Sequence, residues 1–267
     1  MRRNLFFDVD GTLLPFGRGL PQDTLEALLE ARSKGHRLFL ATGRSPAELD
    51  DRLSAIPFDG GVYSGGARAF LEGKDVYASY FTREDLDFYL EVCQSHGWQV
   101  LLQTDGHSFC LSGFADLMVS WFRRYAGGDI KIANVELVDS LDGIDKVTKL
   151  LLLAPKGDMD EAHRLLDARF DVIVNTVGVP ARLMSEVCQK GVDKASAMLA
   201  LLEAEGEDVA SSIAFGDGSN DIPIIRAAGI GVAMGNADDE VKAAADFVTA
   251  DCGDGGIRLA LEHFGVL

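Results

Sequence analysis

Asp8 and Asp10 stand two residues apart at the end of the apolar run Leu5-Phe6-Phe7, and Gly11-Thr12 and then Leu13-Leu14 follow them. Carboxylates beside a core must be paired, metal-bound or chemically employed, because burying a bare charge is costly. A second acidic set lies near the other end of the chain. There "FGDGSND" offers Asp217, Asn220 and Asp221. Between them come Thr42-Gly43-Arg44 and, in "KGVDKAS", Lys194. Carboxylates with no His or Cys among them suit a hard cation such as Mg²⁺, which takes oxygen ligands and keeps several waters. A carboxylate can act as nucleophile and form an aspartyl-phosphate. A second acid two residues along can give a proton to the leaving oxygen and later take one from water. A hydroxyl, backbone N–H groups and a lysine can hold the transferred phosphoryl group, where catalysis is mostly positioning and charge stabilisation.

These residues cooperate only if the chain brings them together, and its hydrophobic rhythm supplies a way. Residues 4–8 read as a buried strand, residues 21–34 as a helix with Leu25, Leu28 and Leu29 on one stripe, and "HRLFLA" as a second strand. "SPAEL" opens a further helix, with Ser45 as N-cap, Pro46 at its first position and Glu48 closing a capping box. "GVYS" is a third strand. This alternation predicts a parallel, right-handed α/β sheet. From about residue 82 to 187 the pattern changes. The strand candidates "WQVLLQ", "SFCLS", "KLLLLA", "FDVIVNT" and "ARLMSEV" are mixed with helices over 84–95, 115–125 and 159–168, as in a more antiparallel α+β unit. Alternation then returns with "KASAMLALLEAEG", "SSIAFGD", "IPIIRAAG", "IGVAM", "DDEVKAAA", "DFVT" and "GGIRLALEHF". The expectation is one α/β core built from residues 1–82 and 188–267, with an α+β domain inserted over 83–187. Asp8 and Asp10, Thr42, and Asp217 to Asp221 then lie at the C-terminal ends of three core strands, where parallel sheets bind ligands.

The 267 residues are 47% hydrophobic and carry 42 acidic against 25 basic groups, a formal charge of −17. Such a field argues against nucleic acid or anionic membrane as partner, and it obliges an anionic substrate to be met by a metal or a local donor cluster. No apolar run reaches membrane-spanning length. The short N-terminal apolar segment does not make a signal-peptide core. Cys93, Cys110, Cys188 and Cys252 have neither metal-ligand nor disulfide-framework spacing. A reduced, cytoplasmic setting is expected. The five histidines are scattered, and Trp98, Phe114, Trp121 and Phe122 read as packing of the inserted domain.

Taken together and in order, "DVDGTL", "ATGR", the lysine of "KGVDKASAM" and "GDGSND" resemble the four motifs of the haloacid dehalogenase-like (HAD) hydrolase superfamily. The layout is similar to Cof-type, subfamily IIB sugar phosphatases, whose type C2B cap is inserted between the second and third motifs. The resemblance implies a Rossmann-like core and a Mg²⁺-dependent phosphatase acting on a small phosphorylated metabolite. It implies that Asp8 is the nucleophile and Asp10 the general acid/base. Mg²⁺ would be held by the Asp8 side chain, the Asp10 backbone carbonyl and Asp217, with Asp221 orienting its waters. Thr42 and Lys194 would take the phosphoryl oxygens, with Gly43, Arg44 and Asn220 near the phosphate or its ligands. One departure is the turn "SGGARAF", which has Gly65 where the family commonly carries asparagine. Two rivals stay open: a phosphomutase of the phosphomannomutase kind, and a non-catalytic sensor of a phosphorylated metabolite. Arg182 and Glu186 are candidates for contacts that select the substrate. Lys190 reads as a surface charge.

Overall fold

A computed structural model describes residues 2–49, 51–126, 134–174 and 179–267. The chain divides into two compact units. One comprises residues 1–44, 49–78 and 193–267; the other comprises 45–48 and 79–192.

The first unit is an eight-stranded sheet. Its strands are β1 (Asn4–Phe7), β2 (Arg37–Ala41), β3 (Gly60–Tyr63), β4 (Arg68–Leu71), β5 (Lys74–Ala78), β12 (Ser212–Gly216), β13 (Ile230–Ala233) and β14 (Phe247–Val248), in the order β14-β13-β12-β1-β2-β3-β4-β5. Pairing is parallel from β14 to β3 and antiparallel across β4 and β5. The central strand β1 is buried on both faces, as a continuous apolar run in a parallel sheet should be. Its alternating side chains serve two cores. Phe7 stacks on Phe215 in the core closed by α1 (Gln22–Ser33) and α8 (Gly256–His263), through Leu28, Ala31, Ile257 and Leu261. Phe6 stacks on Phe39 in the opposite core, closed by α5 (Lys194–Ala204) and α6 (Ile222–Ala227) through Met198, Leu201 and Ile224. The chain builds outward from β1 in one direction through β2 and β3, and in the other through β12, β13 and β14. The β1/β12 boundary is therefore the topological switch point.

Two features of this unit depart from the sequence reading. "SPAEL" does not open an α-helix. Pro46–Glu48 and Asp51–Leu53 are isolated 3₁₀ turns. The cap signal itself is present, since the Glu48 carboxylate accepts the Ser45 N–H at 3.0 Å. That carboxylate is also engaged by Gln103, a tertiary partner, and local propensity does not carry a helix further. The second departure is the β4–β5 hairpin, which extends the sheet beyond β3. Its turn is Glu72-Gly73, both at positive φ (48° and 76°), as a two-residue hairpin turn requires.

The second unit is a six-stranded sheet of β6 (Gln99–Gln103), β7 (Ser108–Cys110), β8 (Val135–Leu137), β9 (Lys149–Leu153), β10 (Phe170–Val174) and β11 (Met184–Gln189), in the order β10-β11-β9-β6-β7-β8. All its pairings are antiparallel except β7 with β8. The residues Asn175 and Thr176 of the strand read as "FDVIVNT" lie outside the described residues. Helices α2 (Arg83–His96) and α4 (Met159–Leu166) pack on one face around Tyr89, Trp98, Leu150, Leu152 and Phe170. Helix α3 (Ser112–Trp121) packs on part of the other through Phe114, Met118 and Trp121. The capping box of α2 joins Thr82 and Asp85 reciprocally. All four cysteines are free and buried. No described helix is long and apolar enough to cross a membrane.

Candidate active site

The C-terminal ends of β1 and β12 place Asp8 and Asp217 side by side at the switch point. The Asp8 N–H donates to the Phe215 carbonyl at 3.0 Å, which continues the parallel pairing up to the nucleophile candidate. Among the described residues, Asp8, Asp217 and Asp221 each offer a carboxylate oxygen lying within 4.8 Å of the others. Gly11 follows at φ 89°, and a Cβ there would lie 2.1 Å from an Asp217 oxygen. A glycine is thus required for the loop after β1 to lie against the loop after β12.

Lys194 is the counter-charge. It is the first residue of α5, 1% exposed, and its Nζ donates to Asp8 Oδ1 at 2.7 Å and to Asp221 Oδ1 at 2.5 Å. Asp221 spends its other oxygen on the Asp217 and Gly218 N–H groups, each at 3.0 Å, which ties the "GDGSND" loop into one shape. Thr12 Oγ1 donates to Asp217 Oδ1 at 2.8 Å. Burial pushes the Asp8 carboxyl well above the usual carboxylate range, and Asp221 and Asp217 add to this while Lys194 opposes it. Burial, helped by Asp221, raises Asp217 to about 7 against the pull of Thr12 and Lys194. Burial works against the charge on Lys194, but Asp221 and Asp8 outweigh it and hold the ammonium above its ordinary value. Two buried carboxylates and the half-buried Asp217 around one ammonium leave negative charge uncompensated. The all-oxygen donor set and this excess charge both fit a hard divalent cation.

The other expected residues distribute as follows. Thr42 is buried at the end of β2, its Oγ1 accepting the Arg44 N–H at 3.1 Å. Gly43 lies between them. Arg44 grips the Asp10 carboxylate with two bonds, Nε to Oδ2 at 2.8 Å and a terminal nitrogen to Oδ1 at 2.6 Å. Asn220 is half-buried on the turn Ser219–Asp221. Lys190 pairs with Asp171, as a surface charge would. The "SGGA" turn holds Gly65 at φ 67°, a conformation asparagine also tolerates, so the departure from the family pattern preserves the backbone shape.

One residue escaped the sequence reading. Asn236, just past β13, donates Nδ2 to the Gly11 carbonyl at 2.8 Å and accepts the Cys252 N–H on Oδ1 at 2.9 Å. It stands 3.4 Å from Asp217 Oδ2. The strand "IGVAM" is legible in the sequence, but nothing in the residues after it marks an amide as part of the site.

The whole arrangement has close counterparts. The chain matches the haloacid dehalogenase-like hydrolase family over residues 5–261. It is 27% identical to YkrA of Bacillus subtilis (strain 168), over 98% of both chains. It is 26% identical to the pyridoxal phosphate phosphatase YbhA of Escherichia coli (strain K12), over 93% of both. The solved HAD subclass IIB sugar phosphatase BT4131 superposes with a TM-score of 0.82 at 27% identity, covering 99% of this chain and 100% of that one. With an acid-lined switch point able to hold a divalent metal, and a family match over nearly its whole length, this chain belongs to the haloacid dehalogenase-like hydrolases and is an enzyme of that class.

Proposed function

We propose that the protein is a Mg²⁺-dependent phosphatase of the Cof-type, subfamily IIB kind, hydrolysing a small phosphate monoester, with sugar phosphates as its substrate class. The observation that carries this reading is the Asp8 carboxylate, fixed by Lys194 at 2.7 Å within a trio of acids that can hold a metal. Likeness to a subclass IIB sugar phosphatase over the full chain supports the finer class. The second unit is read as the inserted cap, which excludes water and supplies leaving-group contacts.

Asp8, Asp217 and the Asp10 backbone carbonyl would hold Mg²⁺, with Asp221 ordering the surroundings. When bound, the cation neutralises the acids and draws charge from the phosphoryl oxygens. Asp8 attacks phosphorus in line, the bond from phosphorus to the leaving oxygen breaks, and Asp10 gives that oxygen a proton. Water then attacks the aspartyl-phosphate, Asp10 takes the proton from it, and the Asp8 carboxylate is released. Lys194, held by Asp8 and Asp221, and Thr42 steady the phosphoryl oxygens. Asn236 and Thr12 keep the two acid-bearing loops in register.

The test is phosphate release from a panel of sugar phosphates and pyridoxal 5′-phosphate, with and without Mg²⁺, for wild type and Asp8→Asn. Metal-dependent release that falls by at least about 10³-fold in the variant is expected for loss of a covalent nucleophile. A folded wild-type protein that releases phosphate from no member would overturn the reading. A requirement for a bisphosphate, with no free phosphate produced, would indicate the mutase.

A further inference from the structure

Strand β13 pairs in parallel with β12 on one side and β14 on the other. The residues just past its end therefore run between the loop that carries Asp217 and the loop over 249–255. Two bonds hold them there. The Met234 N–H donates to the Gly216 carbonyl and the Gly235 N–H to the Ala250 carbonyl, each at 3.0 Å. Gly235 has no room for a side chain, since a Cβ there would stand 2.4 Å from an Asp251 oxygen. Asn236 follows, and its one amide meets three loops. Nδ2 donates to the Gly11 carbonyl at 2.8 Å and stands 3.4 Å from Asp217 Oδ2, while Oδ1 accepts the Cys252 N–H at 2.9 Å. Turning the amide over would set its oxygen against the Gly11 carbonyl and its NH₂ against the Cys252 N–H. A single orientation survives, although the residue as a whole is exposed.

Asn236 and Thr12 address opposite oxygens of one carboxylate. Thr12 is fully buried and donates Oγ1 to Asp217 Oδ1 at 2.8 Å, and Asn236 faces Oδ2. Gly11 forms a wall on another side, for all three atoms of the carboxylate lie within 2.8 Å of where a Cβ on it would be. Swinging the carboxylate about its own axis would break the Thr12 bond and the Asn236 contact together. Asp221 is held in the same manner, Oδ1 by Lys194 and Oδ2 by the Asp217 and Gly218 N–H groups. Two of the three acids are thus fixed at both oxygens.

Fixed carboxylates discriminate between hard cations. Ca²⁺ takes about six to eight oxygens in a flexible shell and accepts both oxygens of one carboxylate, whereas Mg²⁺ demands a near-octahedral set of single oxygens and keeps waters. How freely the ligands can turn is therefore part of the selectivity. We infer that Asn236 and Thr12 are positioning residues that restrict Asp217 to one oxygen, and that this clamp makes the acid trio select Mg²⁺ over Ca²⁺. The inference rests on the metal site of the phosphatase reading above and goes beyond it, to the residues that set the choice of cation.

The experiment titrates the chelator-treated full chain with magnesium chloride or calcium chloride and reads apparent affinity from the rise in melting temperature. Wild type, Asn236→Ala, Thr12→Val and Thr12→Ser are compared. In Asn236→Ala and Thr12→Val the affinity for Mg²⁺ should fall by about tenfold, as loss of a partner that orients a metal ligand does. The affinity for Ca²⁺ should fall by less than about threefold, so that the ratio moves toward Ca²⁺. Thr12→Ser keeps the hydroxyl and should keep the wild-type ratio. Equal losses for the two cations, or ratios within about twofold of wild type, would show the network to be structural and overturn the inference. So would a serine variant that behaves as the valine one does. Should Asn236→Ala and Thr12→Val fail to fold, the wild type decides: Mg²⁺ should stabilise it more than Ca²⁺ at equal concentration, and the reverse order overturns the assignment. Mg²⁺ binding with unaltered selectivity in the variants would sink the inference and leave the phosphatase reading standing. A wild type stabilised by neither cation would remove the metal site and the inference together.

Discussion

At the scale of single residues, the site is poised by charge. Asp217 sits near 7 in the folded protein because burial and Asp221 penalise its carboxylate, whereas an unfolded chain would leave it near 3.8. The folded state thus binds the extra proton between these values. Its stabilising effect is fully present below about pH 3.8 and is lost as pH rises through about 7. The metal-free protein should therefore melt several degrees lower at pH 8 than at pH 6, with Asp8 acting in the same direction. Mg²⁺ held by these acids would need them deprotonated, so stabilisation by added Mg²⁺ should grow over the same interval. In Asp217→Asn both the pH slope and the Mg²⁺ response should shrink, and at pH 8 without metal the variant should melt above wild type. Differential scanning calorimetry with and without chelator measures all three, and an unchanged slope in the variant would refute the assignment of the charge to Asp217.

At the scale of elements, Asp8, Asp10 and Lys194 are held by turns that only glycine can make. Helix α5 begins at Lys194, capped by Asp193, whose side chain accepts the Ser196 N–H at 2.8 Å. The "SGGA" turn after β3 presses on this start. Gly66 is at φ 113°, and a Cβ on it would stand 2.0 Å from the Asp193 carbonyl oxygen. Gly66→Ala should therefore cost about 2–3 kcal/mol of stability through backbone strain and displacement of the helix start. It should lower activity further, because Lys194 moves with the helix. Urea denaturation and phosphate release under conditions where the variant remains folded separate the two effects; full activity would mean that the turn yields instead of the helix.

At the scale of the whole molecule, the charge of −17 works against the proposed chemistry. A phosphate dianion would approach a chain of like sign, and only local features such as Lys194 and a cation held by the acid cluster would reverse the field. Raising ionic strength from about 0.01 to 0.15 M shortens the screening length from about 30 to 8 Å. At fixed free Mg²⁺, kcat/KM for a sugar phosphate should then rise, by about two- to threefold, through faster encounter. A fall over that range, measured under initial-rate conditions, would mean that a local positive field dominates approach.

The chemical inventory was legible from the chain because it is local. An aspartate two residues beyond another, a glycine after them and a strand before them are properties of short segments, and burial of β1 on both faces follows from its unbroken apolar run. The alternating rhythm likewise identified the parallel core and the antiparallel character of the insertion, since strand and helix periods are read within a few residues. Other features depend on partners distant in sequence. "SPAEL" carries a correct cap signal, but its glutamate is drawn to Gln103, 55 residues away, and the helix does not form. Asn236 joins two loops 225 residues apart in its bond to Gly11, which no local pattern announces. Arg44 follows the expected motif, yet only the folded sheet shows its guanidinium on Asp10. The sequence by itself determined which groups the chain could bring to a strand end. Tertiary structure decided which of them meet, because hydrogen bonds and ion pairs between remote segments exist only once hydrophobic burial has placed those segments side by side.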